Sequence, residues 1–196
     1  MSSLWSTQSC RPPTSRRTYT GSMIVAARIL RLLALAVWLG GIVFFGAVVA
    51  PGAARIFGTT ERFADFIGYS ILHLHMLGIY CGIAMLVALR FLNNRAFKPL
   101  WQGGLILLML VLTFVSNRAI ILPMEHDRQL AGGNISIMMP DSPIRQDFDA
   151  RHQWSTKVEG TILFLGIGLA VLIGFEAGLR ERITTAPPRK VYDLDS

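Results

Sequence analysis

A chain of 196 residues, 52% of them apolar, with a positive mean hydropathy has too few polar side chains to cover a soluble domain of its size. The formal charge of +7 does not point to nucleic acid, because the Lys and Arg residues lie between and outside long apolar runs and form no stripe; the partner they imply is the lipid bilayer. Cys10 falls in a polar tail and Cys81 in an apolar run, so no disulfide scaffold is implied.

Residues 1–22 are rich in Ser, Thr, Arg and Pro and contain no apolar signal-peptide core, so they read as a disordered tail ahead of Met23. A helix needs about 20 apolar residues to cross a bilayer. Four runs reach that length: 24–50, ended by Pro51-Gly52, then 66–92, 101–122 and 156–179. They define a four-helix domain over 23–179 with one sizeable connection, an outer loop over 123–155. Residues 180–196, with Pro187-Pro188 and mixed charges, read as a second disordered tail. The expected fold is all-α, an integral membrane four-helix bundle. Twelve Lys and Arg residues lie in the two terminal segments and the link between the second and third runs, against seven on the other side. Cytoplasmic segments retain basic residues, which predicts N-in and C-in, a multi-pass protein of the bacterial inner (cytoplasmic) membrane.

Helices in lipid pack through small residues that let backbones approach. The fourth run carries Gly166, Ala170, Gly174 and Gly178 at four-residue spacing, and the second carries Gly78 and Gly82. At 100° per residue, His75 lies within about 60° of both Gly78 and Gly82 and is expected to face the seam, whereas His73 turns away with Phe66, Tyr69 and Tyr80. By the same rule, His152 and Glu159 lie within about 40° of Gly166 and Ala170.

All four histidines, His73, His75, His126 and His152, fall toward the outer side, and Asn117 and Arg118 join them at the end of the third run. Two readings stand. In one, His75 and His152 with Met76 or Met124 form a metal site of soft and borderline ligands suited to copper, with Arg118, Glu159 and Asn117 orienting them. In the other, Arg118 and Glu159 form a structural ion pair, His152 caps the fourth helix and His75 is a hydrogen-bonded core residue. No pair of histidines has the i, i+3 or i, i+4 spacing of a strong helical metal motif, and no catalytic motif occurs at meaningful spacing, so enzymatic activity is not indicated.

Trp38-Leu39-Gly40-Gly41, Phe44-Phe45 and Val48-Val49-Ala50-Pro51, followed by Asn117 with Pro123 and by Phe148, His152 and Ser155, resemble a bacterial four-helix membrane family of unknown function that has animal transmembrane relatives. The resemblance covers about residues 24–178. That family is similar to the membrane domain of copper-resistance protein D, which shares the Trp-x-Gly-Gly signature, and the kinship implies metal handling. The chain departs from the pattern at Glu159, where a neutral amide such as Asn is implied, and at His73 and His75. The first-helix Trp and Gly also resemble membrane-bound protoporphyrinogen oxidases of HemJ type, but the first-helix histidine and intramembrane lysine of that type have no counterpart here.

Three functions follow as expectations. The leading one is binding or passage of a small ligand, a transition-metal cation above all, from the outer side. The second is a haem-associated redox enzyme, with His75 and His152 as axial ligands. The third is a scaffold subunit whose glycine ridges contact another membrane protein or a second copy of the chain.

Overall fold

The computed structural model describes residues 16–58, 60–92 and 95–185, with side chains described from residue 21 to 179. The chain forms α1 Arg16–Phe44, α2 Ala50–Phe57, α3 Glu61–Leu92, α4 Pro99–Val115, α5 Leu122–Leu130 and α6 Pro143–Thr185, and no strand occurs among the described residues. Two π-helical turns, Phe45–Val49 and Ser116–Ile121, splice α1 to α2 and α4 to α5, leaving four rods.

Proline explains the position of both π turns. Pro51 and Pro123 have no N–H for the helical ladder, and their rings crowd the carbonyl four residues back. The residue before each proline bonds five residues back instead: Ala50 N–H to the Phe45 carbonyl, and Leu122 N–H to that of Asn117. Reversals between rods use left-handed residues, Gly58 (φ 61°), Lys98 (φ 46°) and Gly132–Gly133 (φ 69° and 92°).

All four rods are long and apolar enough to cross a membrane, over Gly21–Phe57, Glu61–Leu92, Pro99–Leu130 and Pro143–Leu179. Only 17–33% of each apolar window is buried inside the protein, so the remaining apolar surface needs lipid around it. A rod of 32 residues spans about 48 Å against roughly 30 Å of hydrocarbon, so the rods extend beyond it. The helices therefore outrun the apolar runs. Residues 123–155, predicted as a loop, are helical up to Leu130 and again from Pro143, and the turn is confined to 131–142. Ion pairs at helical spacing support these polar extensions: Arg128–Glu125, Arg145–Asp149 and Arg151–Asp147. The predicted tails shorten likewise, since 16–22 and 180–185 are helical; residues 1–15 and 186–196 lie outside the described residues.

The rods pack in a ring, α1 beside α3, α3 beside α4, α4 beside α6, and α6 beside α1. Both ends of the described chain lie at one end of this bundle, here the terminal end; the 131–142 turn marks the opposite, loop end. Buried positions recur at three- and four-residue steps: 75, 78, 82, 85, 89 and 92 on α3, 102, 106, 109 and 113 on α4, and 162, 166, 169, 173 and 176 on α6. That spacing is the seam of a left-handed bundle. Trp38, 2% exposed, lies against Gly78 and Gly82, and Leu39 fills the space over Gly166.

The rest of the predicted α6 ridge turns outward, with Ala170, Gly174 and Gly178 exposed. Each four-residue step drifts about 40° around a helix, so a ridge that starts on the seam at Gly166 leaves it within two turns, whereas alternating three- and four-residue steps stay on it.

These contacts predict opposite outcomes for two glycines. A Cβ at Gly78 would sit 2.5 Å from Trp38 Nε1, whereas one at Gly174 meets nothing within 4 Å. Gly78→Ala is expected to cost about 1–3 kcal/mol and Gly174→Ala less than about 0.5 kcal/mol, measured by thermal unfolding in detergent.

Candidate functional site

Hydrocarbon surroundings make an unpaired charge expensive, so each ionisable side chain inside the bundle needs a partner within the protein. Two polar nodes meet that need, one toward each end.

The node toward the terminal end centres on Arg31 of α1, 1% exposed. Its Nη1 donates to Gln102 Oε1 at 2.6 Å, and its Nη2 donates to Glu176 Oε2 at 3.0 Å. Gln102 Nε2 donates to the Phe97 carbonyl at 2.7 Å, and the Phe97 N–H donates to Glu176 Oε2 at 3.3 Å. Arg31, Gln102 and Glu176 all occupy buried seam positions, so this node ties α1, α4 and α6 together where they pack. Its donors and acceptors are matched to one another except for Arg31 Nε, and one turn earlier on α1 Arg28 Nε is also buried without a partner. A matched network of this kind is a clasp.

The node toward the loop end is different. His75 of α3, 2% exposed, approaches Glu159 of α6, with Nε2 and Oε1 2.5 Å apart. These rods are not neighbours in the ring, so the bond crosses the bundle. A carboxylate only accepts, so Nε2 carries the hydrogen, and in the neutral imidazole Nδ1 then presents a lone pair. Nδ1 is buried and has no partner, and the same holds for Ser116 Oγ and Asn117 Oδ1. The register of α3 against α4 puts these atoms at one level: Gly82 packs on Leu110, and seven residues along each chain lead to His75 and Asn117. Both π turns lie in this half of the bundle, and the wider turn of Ser116–Ile121 holds two of the three unpartnered groups.

The predicted site residues are only partly brought together. His75 and Glu159 meet, and Asn117 lies at their level. Arg118 does not reach Glu159: it is exposed, with its guanidinium 5.7 Å from the Phe114 ring centroid. Two residues separate it from the buried Ser116, enough to rotate it to the opposite side of the helix. His152 is also exposed and stacks on Phe148, because it lies one seam step beyond the last buried α6 position, Ser155, near the loop end. Met76 is 40% exposed, and Met124 is half-buried on the following helix, α5. His73 points outward, its Nδ1 2.8 Å from the Tyr69 carbonyl oxygen. No group of three or more His, Cys, Asp or Glu residues capable of holding a metal occurs among the described residues.

Sequence reasoning missed the Arg31–Gln102–Glu176 clasp, having used Arg31 only to orient the chain. The available signal was Glu176, the second of two acids in the fourth apolar run, which requires a buried cation somewhere in the bundle. It also missed Ser116, whose role depends on the π turn.

A family model, Domain of unknown function (DUF4149), matches residues 33–133, which include Trp38, His75, Gln102, Ser116 and Asn117. No curated protein and no solved structure matches the chain.

The geometry predicts where charge removal will hurt. Glu176→Leu strands Arg31 and is expected to cost about 3–5 kcal/mol, whereas adding Arg31→Met should recover much of that loss. Arg118→Ala, at an exposed site, should cost about 1 kcal/mol or less and add independently to Glu159→Ala. Double-mutant cycles on detergent unfolding measure both.

Proposed function

The chain belongs to the DUF4149 family, a domain of unknown function, and from that premise and the unpartnered atoms around His75 we propose that it binds a small cationic ligand within the bilayer, with a transition-metal ion as the best-fitting occupant. The observation that carries this reading is the pose of His75. A metal-binding histidine holds its second ring N–H on a carboxylate, which fixes the tautomer and directs the free lone pair at the ion. His75 has that arrangement, with Nε2 on Glu159 and a bare, buried Nδ1. Ser116 Oγ and Asn117 Oδ1 supply two further acceptors at the same level. One imidazole nitrogen with oxygen donors suits a borderline divalent ion such as copper(II) or zinc better than a soft monovalent one, since the Met76 thioether faces outward.

The haem reading is weaker because His152, its second axial ligand, is exposed away from His75. The scaffold reading retains one observation in its favour, the outward face of Ala170, Gly174 and Gly178, where Val171, Phe175 and Leu179 help line an apolar depression of about 540 Å³. The excess of Lys and Arg at the terminal end supports an N-in, C-in arrangement, which opens the His75 node toward the outer face.

Two measurements test this proposal. Elemental analysis of protein purified without chelator should find a bound transition metal that is lost in His75→Ala and retained in His152→Ala; absence of metal, together with no calorimetric binding of added zinc or copper, would refute it. An impermeant thiol reagent should label Ser142→Cys from outside intact cells, and labelling only from the cytoplasmic side would reverse the topology.

A further inference from the structure

We infer that α5 is a hinged lid over the His75 node, latched to its neighbours by ion pairs at the loop end. The inference rests on the ligand site proposed above and adds its route of entry. α5 is joined to α4 by the Ser116–Ile121 π turn and begins Leu122-Pro123, so its attachment is a wide turn followed by a residue that cannot restore the helical ladder. The only buried residue within α5 is Asp127, a charged one, and the one buried apolar side chain that travels with the segment is the small Ala131 at its C-terminal cap.

Polar contacts hold it in place. Arg128 pairs with Asp65 of α3 at 2.7 Å and with Glu125 of its own helix at 2.6 Å. Asp127 pairs with Arg151 of α6. Arg128 Nη1 also donates to the Gly133 carbonyl in the following turn. Partly exposed ion pairs are individually weak and are screened by salt, so a helix docked through them detaches far more readily than one held by an apolar seam. Release of both latches lets α5 swing about the π turn that carries Ser116 and Asn117, two of the groups assigned to the ligand, so opening the lid and loosening the site are one motion. On the opposite side of the ring, α1 carries the same device, a π turn followed by Ala50-Pro51, but α2 docks through Phe57 on Phe66, with centroids 5.9 Å apart, and through buried Ala53. The salt-sensitive latch belongs to α5.

The test reads access to the site without any ligand. Full-length protein with Cys10→Ser and Cys81→Ala carries a single reporter, Ser116→Cys, and its rate of reaction with a charged maleimide is measured in detergent. Asp65→Asn with Asp127→Asn should raise that rate about fivefold, the scale set by weakening two partly exposed pairs. High salt should accelerate the reporter in the parent and leave the latch variant nearly unaffected. A second reporter at Met109, 0% exposed in the seam, should remain protected throughout. Unchanged rates at residue 116 under both treatments would overturn the lid, and so would a parallel rise at residue 109, which would report general loosening. Because no metal enters the assay, failure of the lid and failure of the metal proposal are separable.

Discussion

A guanidinium held at 1% exposure in a bundle surrounded by apolar surface must find its counter-charge inside the protein, and the packing of the terminal end follows from that need. Arg31 satisfies it with Glu176, a rod away, and with Gln102 across the ring. Three rods are therefore fixed in rotation and in height by one buried network. Apolar seams are interchangeable over a helical turn; a buried fork with two specific acceptors is not. Between this clasp and the loop end, Trp38 on two glycines and Leu39 on a third bring the backbones close.

The two nodes obey the same rule with different results. In the clasp, donors and acceptors cancel almost completely, which is the behaviour of a structural element. At the loop end, one hydrogen bond spans the bundle and three buried polar atoms at about its level are left without partners. An unmatched buried polar atom costs about 1–3 kcal/mol. Three at one level, beside a helix distorted into a π turn, form a local weakness that an occupant would relieve. That contrast between a matched and an unmatched node, within one chain, is the ground on which the second is proposed as a ligand site.

Much of the architecture was legible from the chain, because bilayer thickness and the period of the α-helix act on every residue alike. Run length located four spans, and the 100° rule placed His75 on the face of Gly78 and Gly82. The same arithmetic failed where its premise failed. It followed a four-residue ridge from Gly166 to Gly178, although packed seams alternate steps of three and four. It matched Arg118 to Glu159 by depth and charge, whereas Arg118 lies two residues past the buried Ser116 and so faces outward, and Glu159 reaches His75 instead. The clasp was hidden for another reason: Arg31, Gln102 and Glu176 come from three separate runs, and only packing shows that they meet.

The central claim is that His75 holds an available lone pair at Nδ1, and nitrogen NMR of imidazole-labelled protein measures it directly. The account predicts that at neutral pH one of the four histidines, assigned by its loss in His75→Gln, has a protonated Nε2 and an unprotonated Nδ1, and that adding zinc shifts the Nδ1 resonance. A His75 signal with both nitrogens protonated at neutral pH, unmoved by metal, would show a closed salt bridge and contradict the assignment of this node as a ligand site.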